Sequence, residues 1–214
     1  MDKVAIVIGA TGLVGQHIVS QLLGRFDFDI IRIFVRRKTG LIHPNLEEHV
    51  IDFDQPESWR DLVKGDVLFS TLGTTLKTAK TKENQYQVDF TYQYEFARAA
   101  AENGVPVYVL VSSLGADARS SIFYSRIKGQ LEDAVSGLKF NKLLIFRPSI
   151  LDGDREENRK GEKVGLAFTR FITRYTLKKY KPTPADLLAA TMIRMSLDET
   201  EGIRVIEGRK ILTS

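Results

Sequence analysis

A glycine pattern near the start of the chain constrains the fold more than any other feature. The segment Gly9–Gly15 reads Gly-Ala-Thr-Gly-Leu-Val-Gly, and it lies between an apolar run, Val4–Ile8, and a helical pattern, Leu13–Leu23. In this strand–turn–helix context the first glycine allows a tight turn, the second lets the backbone approach a pyrophosphate, and the third lets the helix pack closely on the sheet. The pattern therefore predicts a dinucleotide-binding α/β fold, although a lone glycine motif can also be a connection that binds nothing.

The start of this first helix is the predicted phosphate site. Its unpaired N–H groups and the positive end of the helix dipole both favour an anion. Cofactor contacts from this loop are therefore predicted at Gly9, Thr11, Gly12, Leu13, Val14 and Gly15.

The rest of the chain alternates short apolar runs with helical patterns, which is typical of a parallel sheet covered on both faces. The 214 residues suit one domain, 1–214, with a doubly wound Rossmann fold: a parallel sheet of about seven strands flanked by helices, and a small C-terminal substrate-side segment within residues 149–186. Strands are predicted at Val4–Ile8, Ile30–Val35, Val50–Phe53, Val67–Ser70, Val107–Val111, Leu143–Phe146 and Ile203–Ile206, and helices at Leu13–Leu23, Pro56–Val63, Asn84–Glu102, Ser121–Val135 and Ala185–Ser196, with Asp54 as an N-cap.

The end of the second predicted strand indicates which dinucleotide binds. An NAD site usually places an acid there for the ribose 2′-hydroxyl, whereas this chain has Arg36 and Arg37. A guanidinium binds a 2′-phosphate in bidentate fashion, so we predict NADP(H), with a solvated basic turn as the alternative. Asp52 and Phe53 are predicted to line the adenine, or else simply to pack at a strand end. Further contacts are predicted from the backbone of Leu72 and Gly73.

The fifth predicted strand ends in Ser112 and Ser113, and the helix that follows carries Tyr124 and Lys128. Residues four apart share one helix face. A phenol can pass a proton to a carbonyl oxygen, a nearby ammonium favours the phenolate, and a serine hydroxyl can stabilise charge on the substrate oxygen. We therefore predict a catalytic set of Ser113, Tyr124 and Lys128, with Ser112 as a close alternative to Ser113. An ordinary amphipathic helix is the other interpretation of the tyrosine and lysine.

Several segments together resemble the atypical short-chain dehydrogenases/reductases, and more closely the Tat-interacting-protein-like oxidoreductases. The resemblance implies a Rossmann fold that binds NADPH, with Tyr124 as proton donor and acceptor, Lys128 as its partner and an assisting serine. It also implies cofactor contacts from Leu151 and Arg159. The segments that carry it are Gly9–Gly12, Arg36-Arg37, Leu72–Thr75, Val88-Asp89, Ser112–Asp117, Tyr124–Gly129 and Phe146–Pro148 followed by Asp154-Arg155.

Composition narrows the class of protein. The chain has no cysteine, which excludes disulfides and thiolate chemistry, and its net charge of +4 is spread among nearly as many acids as bases. We expect a cytoplasmic protein, a monomer or homodimer, that binds a small-molecule substrate and neither nucleic acid nor, stably, a membrane. We predict no metal site, because the three histidines show no ligand spacing: His17, His43 and His49.

These features together predict an NADPH-dependent reductase of a small carbonyl compound. Two alternatives stay open at this point. One is an NADP(H)-sensing regulator with little catalysis, favoured by the small substrate region. The other is a sugar-nucleotide epimerase or dehydratase, which the short C-terminal region disfavours.

Overall fold

A computed structural model describes residues 2–152, 182–208 and 210–213 of the chain. The strands are β1 Val4–Ile8, β2 Ile30–Val35, β3 Leu46–Val50, β4 Val67–Ser70, β5 Val107–Val111, β6 Lys142–Arg147, β7 Leu151–Asp152, β8 Thr183–Pro184 and β9 Gly202–Glu207. Seven of them form one parallel sheet in the order β3-β2-β1-β4-β5-β6-β9, and β7 pairs with β8 apart from it.

Helices lie on both faces of this sheet. The α-helices are α1 Leu13–Leu23, α2 Leu76–Ala79, α3 Lys82–Tyr86, α4 Tyr92–Glu102, α5 Phe123–Ser136, α6 Ala185–Ser196 and α7 Lys210–Thr213. A single π-helical turn, Gln87–Thr91, connects α3 directly to α4. The predicted doubly wound α/β fold is confirmed.

Successive side chains of each central strand alternate between the two faces of the sheet, so the core has two layers. In β1, Ala5 and Val7 pack with α1 and α6, whereas Ile6 and Ile8 pack with α4 and α5. Successive side chains of a strand point to opposite faces, so a strand covered on both sides is apolar throughout. This is why the central strands could be predicted from short apolar runs.

The third strand was predicted wrongly at Val50–Phe53; it runs over Leu46–Val50. This strand lies at the edge of the sheet and is only half-buried, so it carries polar residues such as Glu47 and Glu48 and lacks an apolar run. The apolar residue that misled the prediction is Phe53, which lies past the strand end and packs against Tyr92 and Phe96.

The helix predicted at Pro56–Val63 is instead two 3-10 segments, Pro56–Ser58 and Arg60–Leu62. Between them the Trp59 indole is fully buried, and its Nε1 donates to the Asp52 carbonyl at 3.0 Å. Asp54 does not cap this segment as predicted. Its carboxylate accepts hydrogen bonds from Tyr92 and Gln87 on the neighbouring helix, at 2.8 and 3.2 Å. The segment is thus held by the tertiary contacts of Trp59 and Asp54 and forms no regular α-helix.

The long predicted helix Asn84–Glu102 begins two residues earlier and includes the π-helical turn. In the part of the chain that the structure describes, no helix combines the length and apolarity needed to cross a bilayer. Most of the predicted substrate-side segment within residues 149–186 lies outside the described residues.

Candidate active site

The carboxyl ends of β1 and β4 meet at the point where the strand order reverses, which is where open α/β sheets bind ligands. Gly9 has φ +78°, and a Cβ there would lie 2.6 Å from the Thr71 carbonyl carbon. A Cβ on Gly15 would lie 2.1 Å from the Gly9 oxygen. The two loops approach so closely that only glycine is accommodated at these positions, as predicted for a dinucleotide loop.

The N-terminus of α1 is suited to a phosphate. The first helical turn, which includes Leu13 and Val14, contains no acidic residue, and the N-cap residue is Gly12, which has no side chain to occupy the N–H groups. A Cβ on Gly12 would lie 3.2 Å from the Gly9 oxygen, so a side chain would crowd this surface as well. The residues present therefore fit a pyrophosphate, which the helix N–H groups would bind. Thr11 is exposed beside them.

The residues predicted to select the cofactor and to line its adenine differ in how far they are exposed to solvent. Arg36 and Arg37 are exposed directly after β2, and Leu72 and Gly73 follow β4 beside the glycine loop. Asp52 is exposed, but Phe53 is buried in the aromatic core, which favours the packing interpretation of that side chain. Leu151 forms β7, and Arg159 lies outside the described residues.

The two serines at the end of β5 have different partners. Buried Ser112 donates its hydroxyl to Glu132 of α5, and Arg147 of β6 donates to the same carboxylate at 3.0 and 3.1 Å from Nε. Ser113 is half-buried, and its hydroxyl lies 3.4 Å from the Leu114 carbonyl oxygen, which is long for a hydrogen bond. Ser112 therefore joins β5, α5 and β6, while the Ser113 hydroxyl is only weakly held.

The serine loop packs directly on α5. A Cβ on Gly129 would lie 2.1 Å from the Ala118 backbone nitrogen, so this helix position admits no side chain. The Asp117 N–H donates to the Ser125 carbonyl at 3.1 Å, which ties the loop to the first turn of α5. The loop after β5 and the start of α5 are thus brought together.

Tyr124 and Lys128 lie one turn apart at the start of α5. The Lys128 ammonium is 6.0 Å from the centre of the Tyr124 ring. Tyr124 is half-buried, whereas the Lys128 side chain is only 3% exposed. The two residues therefore share one face of α5, as the spacing predicted, and this face is more deeply buried at Lys128 than at Tyr124.

Asp89 of the π-helical turn is the residue that the predicted site lacked. Its fully buried Oδ1 lies 3.2 Å from the Lys128 Nζ. Burial opposes the charged form of Lys128, but Asp89 and to a lesser degree Tyr124 outweigh this and raise the pKa of the ammonium above its ordinary value. The available signal was the acid at position 89 inside the predicted helix Asn84–Glu102, on a face that packs in the core, because a buried carboxylate requires a partner.

The sequence also matches a family of known proteins. A family model described as NAD(P)H-binding matches residues 9–174. The chain belongs to this NAD(P)H-binding family.

Its relatives include the protein fmp52 of Aspergillus niger, 33% identical over 94% of this chain and 90% of that protein, and FMP52 of Eremothecium gossypii, 34% identical over 98% and 96%. These matches confirm the resemblance to atypical short-chain dehydrogenases/reductases. Both relatives are named mitochondrial proteins. The prediction of a cytoplasmic protein is therefore wrong, because an absence of cysteine fits any reducing compartment and does not specify the cytoplasm.

Solved structures share the fold at low identity. The Bordetella bronchiseptica enzyme WbmH in complex with NAD+ superposes with a TM-score of 0.70, at 19% identity over 95% of this chain and 75% of that one. A variant of ElxO with NADPH bound gives 0.67, at 14% identity over the full length of both chains. The family and fold are thus those of NAD(P)-binding, oxidoreductase-type proteins, and both dinucleotides occur among the neighbours.

Proposed function

We propose that the protein is an NADPH-dependent oxidoreductase that reduces a small carbonyl compound, with Tyr124 as the proton donor. The observation that carries this proposal is the arrangement on α5: a tyrosine one turn before a buried lysine whose ammonium is paired with Asp89. A buried, charge-paired lysine beside a half-buried phenol is suited to proton transfer at neutral pH.

Each residue has a distinct role in this reaction. The Tyr124 phenol donates its proton to the substrate oxygen, and the Lys128 ammonium stabilises the phenolate that forms. The Ser113 hydroxyl donates a hydrogen bond to the same oxygen, where charge develops in the transition state. When bound, NADPH supplies the hydride for the carbonyl carbon.

In this proposal the cofactor would bind at the carboxyl ends of β1 and β4. The glycine loop and the start of α1 would hold the pyrophosphate, and the guanidinium groups of Arg36 and Arg37 would hold the 2′-phosphate. The exposure of both arginines after β2 supports this, because a phosphate can reach them without displacing core residues.

The test is NADPH oxidation, followed at 340 nm, with purified protein and a panel of aldehydes, ketones and quinones. We expect turnover with at least one member of the panel. Tyr124→Phe should lower kcat by about 10²–10⁴-fold while leaving NADPH affinity unchanged, because only the proton donor is removed. Retention of wild-type turnover by this variant would contradict the role of Tyr124.

The same experiment separates the proposal from a purely regulatory role. A regulator would bind NADPH tightly and leave every carbonyl compound of the panel unreduced. An epimerase or dehydratase would convert a sugar nucleotide without net consumption of NADPH, and a sugar-nucleotide incubation analysed by chromatography detects that outcome.

A further inference from the structure

Three buried polar side chains form a stripe along the helix that carries Asp89. The polar stripe consists of Gln85, Asp89 and Gln93, four residues apart, and at most 4% of each residue is exposed. In an α-helix of 3.6 residues per turn, positions four apart drift around the axis. The wider π-helical turn, closed by i→i+5 bonds, reduces this drift and keeps the three side chains on one face.

The polar stripe binds the last residue of β4 and the segment that follows it. The Ser70 hydroxyl donates to the Gln93 Oε1 at 2.8 Å, and the Thr74 N–H donates to the Asp89 Oδ2 at 3.3 Å. Gln85 donates from Nε2 to the Thr74 carbonyl at 3.4 Å. The segment between Ser70 and Thr74 contains Leu72 and Gly73, which we place against the cofactor.

Gln93 also supports the backbone that carries Asp89. Its Nε2 donates to the Asp89 carbonyl at 2.9 Å, inside the π-helical turn. Both polar atoms of the buried Gln93 amide are therefore hydrogen-bonded, and a buried polar group left without a partner costs about 1–3 kcal/mol. A continuous chain of contacts therefore runs from Ser70 through Gln93 and Asp89 to Lys128.

We propose that Ser70 and Gln93 are positioning residues: they hold the π-helical turn so that Asp89 stays against Lys128, and they couple the loop after β4 to the Tyr124–Lys128 pair. The coupling of cofactor and proton donor rests on the proposed function. The positioning of Asp89 rests on the contacts alone.

The environment of Lys128 predicts what happens when this support is lost. The ionisable groups that act on its ammonium are Asp89 from the π-helical turn, and Tyr124 and Glu132 from α5. Burial disfavours the ammonium, and Asp89 is the strongest of the groups that oppose this effect. A loosened Asp89 therefore lowers the pKa of Lys128.

The test measures that pKa directly in full-length protein labelled with ¹³C and ¹⁵N at lysine. The side-chain resonances are titrated by NMR, and Lys128→Met assigns the signal. Ser70→Ala and Gln93→Leu should each lower the Lys128 pKa by about one unit. Ser196→Ala is the matched control, because it removes a buried hydroxyl bonded to the Ile193 carbonyl on the distant α6. It should leave the Lys128 pKa at the wild-type value.

A merely structural role gives a different result. Ser70→Ala and Ser196→Ala would then lower the melting temperature alike, and the Lys128 pKa would stay at its wild-type value in both, which overturns the proposal. If Gln93→Leu does not fold, the Lys128 pKa measured in Ser70→Ala alone tests the proposal. Wild-type NADPH oxidation is assayed separately, so a failure of the proposed function leaves the pKa result interpretable.

Discussion

Lys128 of α5 and Asp89 of the π-helical turn form a buried ion pair, with Nζ and Oδ1 3.2 Å apart. Both side chains are almost fully removed from water. A charge in such surroundings is stable only with its partner, so the pair fixes the distance between the two helices and favours the charged form of Lys128.

Replacing Asp89 should therefore destabilise the fold. Asp89→Asn keeps the shape but leaves a buried ammonium without a counter-charge, and we expect a loss of about 3–5 kcal/mol in the free energy of unfolding. Urea unfolding measures this loss. Asp133→Asn, an exposed carboxylate on α5, is the matched control and should change the value by less than about 0.5 kcal/mol.

The same pair predicts a pH dependence. The pKa of Lys128 is raised in the folded state above its ordinary value of 10.5. The ion pair's contribution to the free energy of unfolding is therefore complete below pH 10.5. It disappears as the pH rises through the pKa that Lys128 has in the folded protein. Urea unfolding at increasing pH should show this alkaline loss in the wild type, and a curve for Asp89→Asn with the same alkaline loss would count against it.

The two adjacent serines should behave differently when replaced. Ser113→Ala should lower kcat by about 10²–10³-fold with little change in stability, because its hydroxyl is weakly held in the fold. Ser112→Ala should lower stability by about 1–3 kcal/mol, since it removes a buried bond to Glu132, and should retain most activity. Steady-state kinetics and thermal unfolding of both variants test this prediction. A large loss of kcat in Ser112→Ala and a loss of stability alone in Ser113→Ala would assign the catalytic role to Ser112.

Cofactor selectivity should reside in the basic turn after β2. Arg36→Asp should weaken NADPH binding by about tenfold or more and leave NADH binding nearly unchanged, because a charge-assisted contact to the 2′-phosphate is worth about 1.5–3 kcal/mol. Fluorescence titration measures both affinities. Arg37→Asp tests the neighbouring guanidinium, and Lys38→Asp makes the same charge change one position further on. Equal effects of all three would indicate long-range electrostatics alone.

Close packing at the glycine loop predicts a strict requirement for glycine. Gly15→Ala should abolish NADPH binding or folding, because the added Cβ would lie 2.1 Å from the Gly9 oxygen. Gly24→Ala at the end of the same helix is the control, since its Cβ would meet its nearest atom at an ordinary 3.7 Å. Calorimetry and NADPH titration should show a near-wild-type protein for the control only.

Local pattern was sufficient for the parts of the site that lie next to central strands. The glycine loop, the serines after β5 and the Tyr124–Lys128 spacing each follow from a few neighbouring residues and one strand or helix. The prediction of a strand at Val50–Phe53 was wrong because the edge strand β3 needs no apolar run. The prediction of Asp54 as an N-cap was wrong because its hydrogen-bond partners come from a helix that is distant in sequence.

The sequence by itself determined the doubly wound sheet, because periodicity and glycine spacing are properties of adjacent residues. Its short motifs carried the resemblance to the family and predicted the residue types of the proposed reaction. Tertiary structure decided which of them act together. The π-helical turn places Asp89 beside Lys128, and Glu132 accepts a hydrogen bond from the hydroxyl of Ser112, the alternative to Ser113. Both outcomes depend on residues far apart in the chain that meet in a buried, low-dielectric interior, where each charge and hydroxyl must find a partner.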